Sequence, residues 1–441
     1  MGKGLQKIKF TFGEEGLTYF AGIPIIHQFC KSLQLKWFFH RYLHLSHRNT
    51  YYHWADLLLS HFYFTIAGVE RLDHLTFLKY NGLLPHLTGL HRLPGTRAMR
   101  DFLLGLTPRD LIQIKRVHDL VRYQIFQYPQ ILTTAIIDFD SAVLTVYGHQ
   151  EQAERGYNPG KRGRRSYHPI IACESHLKIS LNGQLRPGKA TNRSEVIPFI
   201  KAALKNIPST IAKSRIRIRA DAGFYCWPTI KFLDEEGYGY AIVAQVTDPI
   251  KLEILGLRYH IFNHQEQRAI AEFSYKPHGW KQEHRFIVMR QTLPPEPETN
   301  QGTLFTVDRY KYHVLVTNLD LRPESVWYFY NIRAAIEINV KELKWDFFLT
   351  KIPTRKFLAN QAHLQLLLLD YDLFRWFQML CLPPKFQSKT LKWVRRHLLI
   401  VPGKFVTPGN KNILRFPKSF MQQHLFQQIY QNATKVKSLL K

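Results

Sequence analysis

The sequence predicts an α/β protein whose core carries a mixed β-sheet, with a helical region before it and an all-β segment inserted towards its end. Three observations lead there. Apolar residues recur at helical spacing through residues 1–128. β-Branched segments alternate with helical ones through 129–247. Long helical patterns return over 322–375, after a run of short strands in 248–321. Alternating strands and helices assemble into one sheet flanked by helices.

In the first region, "IPIIHQFCKSLQLKWFFHRYL" and "HWADLLLSHFYFTIAGVERL" have the helical period. "GLHRLPGTRAMRDFLLGLTPRDLIQIKRVHDLVRYQIF" reads as a short helix, a turn, and a longer helix opened by Thr107 or Pro108. From residue 131 the pattern changes. "ILTTAIIDFDSAVLTVYG" reads as a strand turning into a second one. "SYHPIIACES" and "HLKISLNGQLRPG" follow as strands, with Asn182-Gly183 as a turn. "SEVIPFIKAALKNI" is an amphipathic helix with Ser194 as N-cap. "SRIRIRADAGFY" is a strand ending at a turn, "WPTIKFLDEEG" a helix closed by Gly237, and "YGYAIVAQV" another strand.

Segment 248–321 contributes "RYHIF", "AIAEFSY", "HRFIVMR" and "KYHVLVT", short strands read as an all-β insertion. Pro323 then opens a long helix through "PESVWYFYNIRAAIEINVKELKWDFF", and "NQAHLQLLLLDYDLFRWFQML" forms another. After Asp372 no acidic residue remains, while 13 Lys or Arg do, so 376–441 reads as a phosphate-contacting segment.

The 441 residues hold 61 Lys or Arg against 33 Asp or Glu, a formal charge of +28. Self-repulsion on that scale calls for a polyanionic partner, and nucleic acid is the leading one. An anionic membrane surface is the competing reading. It is weakened because the longest apolar stretch, "ADLLLSHFYFTIAGVERL", has too short an uncharged run to span a bilayer. The N-terminus lacks a hydrophobic signal core, so a reducing cytoplasm is expected. Cys30, Cys173, Cys226 and Cys381 lie far apart with no CxxC, which argues against a disulfide framework or a zinc knuckle. The histidines of "FHRYLHLSH" have no nearby cysteine or carboxylate to finish a metal site.

Cutting or joining a nucleic-acid backbone requires neutralisation of charge around phosphorus. Two divalent metals about 3.5–4 Å apart do this, held by carboxylates on rigid elements. Three segments offer them. Asp138 and Asp140 lie two apart on one predicted strand and share a face. Their competing role is to charge an exposed edge strand against aggregation. Asp221 ends a strand, where open α/β sheets place their sites, though it also suits a turn or a helix cap. Glu337 shares a helical stripe with Tyr330, Arg333 and Lys344, where a surface Arg333–Glu337 ion pair is the competing account. A further cluster, Arg155, Lys161, Arg162, Arg164 and Arg165, crowds a Gly/Pro-containing loop close to Asp140. Its position between predicted core strands favours a phosphate clamp over a merely solvated loop.

"D-F-D-S", "R-A-D-A-G-F" and Y-x2-R-x3-E-x6-K, in that order, resemble the DDE transposases of bacterial insertion sequences with the YREK signature. "VYGHQE", "GYNPGKRGRRSYHPIIA" and "LRPGKATNRSE" resemble the insertion-sequence family numbered thirteen-eighty. The resemblance covers about 130–350. It implies an RNase H-like core with a β-rich insertion before the catalytic glutamate. It implies that Asp140, Asp221 and Glu337 hold two Mg²⁺ ions, with Mn²⁺ as a substitute and Asp138 assisting. Asp140 is preferred to Asp138 because Ser141 follows it, as Ser or Thr commonly follows the family aspartate. By the same resemblance Arg333 and Lys344 contact DNA phosphates and Tyr330 hydrogen-bonds to the DNA backbone. Trp280 is a base-stacking residue of the insertion or, alternatively, a packed aromatic.

The activity so implied is cut-and-paste transposition. The protein would bind terminal inverted repeats on double-stranded DNA, cleave the ends and transfer them, acting as a homodimer in a nucleoid-associated, cytoplasmic setting. A nuclease of the same core that cuts without joining, and a catalytically silent DNA-binding protein, are the alternatives.

Overall fold

A computed structural model describes residues 10, 12–46, 51–78, 83–128, 131–190, 195–265, 267–292 and 310–439. The chain divides into two compact units. One is drawn from residues 106–345 and 354–375, the other from 1–105, 346–353 and 376–441.

In the first unit, α1 (Pro108–Gln127) is opened by a capping box in which Thr107 and Asp110 exchange hydrogen bonds. There follow β1 (Ala135–Ser141), β2 (Ile170–Glu174), β3 (Ile179–Gln184), α2 (Val196–Leu204), β4 (Ile216–Ala220), α3 (Trp227–Glu236) and β5 (Gly239–Val243). Next come α4 (Asp248–Leu255), β6 (His260–Asn263), β7 (Arg268–Tyr275), β8 (His284–Thr292) and β9 (Tyr310–Thr317). The unit continues with α5 (Pro323–Asn331), α6 (Ala334–Trp345) and α7 (Phe357–Cys381). Gly237 closes α3 at φ +76°, a conformation that costs a glycine nothing.

Nine of these strands form one mixed sheet in the order β6-β7-β8-β9-β5-β4-β1-β2-β3. β1 is parallel to β4, and β4 to β5, while the other pairings are antiparallel. The mixed sheet is therefore as expected. The 248–321 segment is not a separate all-β body, however, because it opens with α4 and its strands extend the same sheet through β9 and β5. Pairing with β5 satisfies an edge that would otherwise expose unpaired backbone groups.

Other expectations are also corrected. Asn182 and Gly183 lie within β3 rather than in a turn, and the chain reverses at Ser175–Lys178. Gly183 is demanded by packing: a Cβ there would stand 2.3 Å from Leu368 Cδ1. The proposed cap Ser194 lies outside the described residues. The long helix from Pro323 is two helices, interrupted at Ile332 and Arg333, where Arg333 N bonds back three residues to Tyr330 O at 2.8 Å.

A buried polar network ties α1 and α7 to β3, which is why α1 belongs with the sheet although the helical region was expected to run to residue 128. Asp372 Oδ1 accepts from Ser180 N at 2.7 Å, and Oδ2 from Ser180 Oγ at 2.7 Å and His118 Nε2 at 2.6 Å. Arg122 donates to Ser180 O at 2.5 Å and to His118 Nδ1 at 3.0 Å. Burial and Arg122 hold the His118 pKa down, so the imidazole is neutral, with its proton on Nε2 facing Asp372.

In the second unit, "IPIIHQFCKSLQLKWFFHRYL" forms two helices, Ile23–Ser32 and Leu35–Tyr42, parted at Gln34 with φ +54°. Strand Leu17–Thr18 pairs with Gly403–Val406, which pairs with Ile413–Arg415. The basic C-terminal region is thus partly a structural partner of the N-terminal one. Arg395, one of its cations, is buried and donates to Thr65 O and Ile66 O, each at 2.9 Å, at the end of helix Trp54–Ala67. A cation there complements the helix dipole. No helix among the described residues is long and apolar enough to cross a membrane, and the four cysteines are free thiols.

Replacing Asp372 with alanine leaves Arg122, His118 and Ser180 without their shared acceptor. Urea unfolding should show a loss of about 3–5 kcal/mol; a loss below about 1 kcal/mol would mean that the network does not hold α1 and α7 on the sheet.

Candidate active site

The site grows out of strand register. Parallel β1 and β4 pair Asp138 with Arg219 and Phe139 with Ala220. The next step sets Asp140 beside Asp221, just past the end of β4. Neighbours on parallel strands point to the same face, and residues two apart on one strand share it. One face of β1 is apolar: Phe139 packs on Phe199 of α2 and on Phe224, at centroid distances of 6.1 and 5.4 Å. The opposite face carries both aspartates and is approached by α6.

Register also separates the two aspartates chemically. Asp138 is matched by Arg219, which donates from Nε to Oδ1 at 2.6 Å and from Nη2 to Oδ2 at 2.8 Å. Arg219 is 1% exposed. Its remaining donors reach Ser175 Oγ at 2.9 Å and Phe329 O, near the end of α5, at 2.8 Å. Both oxygens of Asp138 therefore accept from one buried guanidinium, an ion pair that sets it apart from Asp140.

Asp140 has no such partner on the sheet. Its Oδ1 accepts from Arg333 Nη2 at 2.8 Å, and the same nitrogen donates to Phe139 O at 3.1 Å. That nitrogen is 4.0 Å from Asp221 Oδ2, and Arg333 Nη1 is 3.9 Å from Glu337 Oε1. Three carboxylates, from β1, from the end of β4 and from α6, thus surround one guanidinium. Asp221 also caps a short 3₁₀ turn, its Oδ1 accepting from Gly223 N at 2.9 Å. Its capping role and its place at the strand end coexist. Glu337 is the exposed member, with 68% of its side chain accessible.

Burial pushes the Asp140 carboxyl up to about 6, and the neighbouring Asp221 and Glu337 add to the push while Arg333 opposes it. Burial raises Asp221 too, against Arg333, the Gly223 N–H and Arg186. Arg333 stays firmly charged: burial works against it, but Tyr330, Asp140 and Asp221 prevail. Lys344 is half-buried, its pKa lowered by desolvation, with Asp140 pulling the other way. Tyr330 packs beside the cluster of Ala241, Ile270, Ile287 and Trp327, and burial raises its phenol pKa while the neighbouring Arg333 opposes the rise. The YREK stripe therefore converges on the carboxylates although α5 and α6 are separate helices.

The other expected contacts divide. Lys161, Arg162, Arg164 and Arg165 are exposed, the first three in the loop that leads into a small sheet of Leu144–Thr145, Glu154–Arg155 and Arg165–Tyr167. This sheet springs from the end of β1, where Ala142 N bonds Pro169 O at 2.9 Å. It is held by a close backbone crossing, in which a Cβ on Gly156 would stand 2.0 Å from Gly188 O. Trp280 follows its packed-aromatic reading. It is 9% exposed and packs on Tyr225, Trp227 and His284 with centroids 5.3, 5.5 and 5.0 Å away, so no ring face is offered to a base.

The sequence reading passed over Arg219, Arg186 and Tyr147. Arg219 and Arg186 are buried cations beside the acidic cluster. The signal for Arg219 lies in "IRIRAD", where Arg217 is exposed and Arg219 buried, and it can be read only once β4 is known to flank β1. Tyr147 is 69% exposed and faces the Lys161 ammonium 4.9 Å from its ring centre.

Asp140, Asp221 and Glu337 form an all-oxygen donor set of the kind hard divalent cations prefer. As placed, no three His, Cys, Asp or Glu side chains among the described residues stand close enough together to hold a metal ion. The guanidinium lies between them instead.

Fold and site together define a class: a mixed α/β protein that gathers three carboxylates around one cation at the ends of adjacent parallel strands. Residues 3–438 match the family described as Transposase DDE domain group 1, and the chain belongs to that family. No curated protein sequence matches it. Among solved structures it is similar to the piggyBac transposase in a cryo-EM synaptic complex with hairpin DNA, at 14% identity and a TM-score of 0.48, over 88% of this chain and 82% of that one.

The two aspartates of β1 should respond oppositely to substitution. Asp138→Ala strands Arg219 and should cost about 3–5 kcal/mol in chemical denaturation. Asp140→Asn in EDTA at pH 7.5 should stabilise by roughly 1–3 kcal/mol, because each pKa unit is worth about 1.4 kcal/mol. The sign follows from a folded value of about 6 above the ordinary 3.8. Stability from protonating Asp140 is fully present below the ordinary value and lost as pH rises through the folded one. The advantage of Asp140→Asn should therefore shrink as the pH is lowered through about 6 and vanish below about 4. A constant difference across that window would contradict the assignment.

Proposed function

We propose that the protein is a DNA transposase of a bacterial insertion sequence, which binds terminal inverted repeats, cleaves the DNA ends and joins them to a target. The observation that carries this reading is the convergence of Asp140, Asp221 and Glu337 on one cation position beside β1 and β4. Family membership supports it. The core is read as RNase H-like, with β1 to β5 as its nucleus and β6 to β9 as the segment inserted before the catalytic glutamate. The insertion-sequence family numbered thirteen-eighty and its YREK group remain the finer assignment.

In this mechanism Asp140, Asp221 and Glu337 hold Mg²⁺, or Mn²⁺ in its place. When bound, the metal supplies Lewis-acid stabilisation of charge on the reacting phosphate and its attacking and leaving oxygens. The chain's own groups do the rest. β1 and β4 hold two carboxylates on rigid neighbouring elements, and α6 brings the third. Lys344 and Arg333 neutralise the DNA backbone beside them, and Tyr330 positions it by hydrogen bonding.

Lys161, Arg162, Arg164 and Arg165 clamp flanking phosphates. One detail favours a polyanion there: Arg155 and Arg165 are directly paired across antiparallel strands. Like charges so placed weaken a sheet unless something neutralises them. The unit containing residues 1–105 and 376–441 supplies further DNA contacts in this reading. Two copies act together, because two ends must be joined.

The test uses DNA from the borders of the gene, where inverted repeats are expected. Wild-type protein should cut it in Mg²⁺, while Asp221→Ala and Glu337→Ala should lose at least about 10³-fold in rate yet still bind. Full cleavage by both variants would sink the proposal. Pre-cleaved ends that are never joined to target DNA would instead leave a nuclease.

The clamp is tested separately. Replacing Lys161, Arg162, Arg164 and Arg165 together with alanine should flatten the dependence of log affinity on log salt by about 0.9 for each phosphate no longer neutralised. An unchanged slope, read by fluorescence anisotropy, would remove these residues from the DNA interface.

A further inference from the structure

The environment of Arg333 is mismatched on both sides. Its guanidinium has five N–H donors in a fixed fork. The side chain is 6% exposed, yet its Nε has no hydrogen-bond partner. Towards the carboxylates only Nη2 comes close, at 2.8 Å to Asp140 and 3.1 Å to Phe139 O. The Tyr330 phenol lies beside the guanidinium. Asp221 and Glu337 stand at 4.0 and 3.9 Å, beyond hydrogen-bonding distance. A buried donor left unmade is costly, so the fork is poorly served. The carboxylates are unevenly served as well: Arg333 bonds Asp140 alone, and although Lys344 acts on Asp140 and Arg186 on Asp221, neither Asp221 nor Glu337 lies within bonding distance of the guanidinium. Asp138 and Arg219 provide the contrast: there a buried fork meets a carboxylate with two bonds of 2.6 and 2.8 Å.

A divalent cation would serve the carboxylates better than Arg333 does. A phosphodiester, with two oxygens for two parallel N–H donors, would serve Arg333 better than the carboxylates do. From this double mismatch we propose that Arg333 is the resident counter-ion of Asp140, Asp221 and Glu337, and a positioning residue whose transfer to a DNA phosphate opens their oxygens to metal. DNA and metal then load cooperatively. Without DNA the guanidinium competes with the metal; with DNA it is drawn away. The coupling is reciprocal, so metal strengthens DNA binding by the same factor that DNA strengthens metal binding. The inference rests on the transposase reading for the identity of the metal ligands and of the nucleic acid. It adds an order of events: the site stays closed to metal until a phosphate backbone arrives.

The experiment titrates Mn²⁺ calorimetrically into the full chain, with and without a saturating short duplex from the gene borders. Ca²⁺ replaces Mn²⁺ if the duplex is cut. For wild type, the duplex should raise Mn²⁺ affinity about tenfold or more, since removing a unit charge about 4 Å away matters even in a screened site. Arg333→Gln should bind Mn²⁺ about tenfold more tightly than wild type without DNA, and the added gain from DNA should disappear. A purely structural arginine would give equal or weaker metal binding in the variant.

Two controls keep the outcomes apart. If Asp221→Asn weakens Mn²⁺ binding but Arg333→Gln does not strengthen it, the counter-ion proposal is overturned and the metal-site assignment stands. If Asp221→Asn binds Mn²⁺ like wild type, the metal site itself is misassigned and both fall. Should Arg333→Gln fail to fold by circular dichroism, the wild-type comparison still decides. Equal Mn²⁺ affinity with and without duplex would overturn the coupling.

Discussion

The buried pair of Asp138 and Arg219 is the constraint on which the site depends. It binds β1 to β4 within the sheet and, through Phe329 O, binds the sheet to the end of α5. That last bond matters because the chain leaves α5 only a few residues before Arg333 and Glu337. Loss of either partner would strand a charge in a low-dielectric interior. The pair therefore locks the register that sets Asp140 next to Asp221, and it anchors the end of α5, after which the chain turns into α6 with the third carboxylate. Stability and site geometry meet in one guanidinium.

A division of labour follows between two arginines with the same chemical group. Arg219 has nearly every donor satisfied and links three elements. Arg333 is nearly as deeply placed but underused, with a bare Nε and two carboxylates out of bonding range. A well-bonded buried cation holds a structure in place, whereas a poorly bonded one has something to gain by moving. Burial raises the Asp140 carboxyl towards 6, and the neighbouring Asp221 and Glu337 add to that rise against Arg333.

Local features were legible in the sequence and long-range ones were not. The Thr107 cap, the Gly237 stop and the succession of strands to β5 follow from residue chemistry within a few positions. The spacing of Tyr330, Arg333, Glu337 and Lys344 reads as one continuous helical stripe, and nothing in "YNIRAAIE" announces the break at Ile332 and Arg333. Asp138 and Asp140 could not be separated by alternation, because residues two apart share a face. What separates them is the neighbouring strand, with an arginine beside one and an aspartate beside the other. Trp280 takes the packed-aromatic reading, and its partners Tyr225 and Trp227 lie more than fifty residues away, where local pattern does not reach. Asn182-Gly183 looked like a turn, yet the glycine serves the approach of Leu368, nearly two hundred residues later.

The facing Arg155 and Arg165 give the basic hairpin an unusual relation to its solvent. Dissolved ions should act on it in opposite directions. They screen the repulsion between its own strands and so tighten the hairpin, while they compete with any polyanion it holds and so loosen that complex. In dilute salt the free hairpin would be at its most splayed under conditions where its pull on any polyanion would be strongest. The bound polyanion would then be the agent that zips the two strands together, and the rigidity of this element would belong to the complex more than to the protein alone.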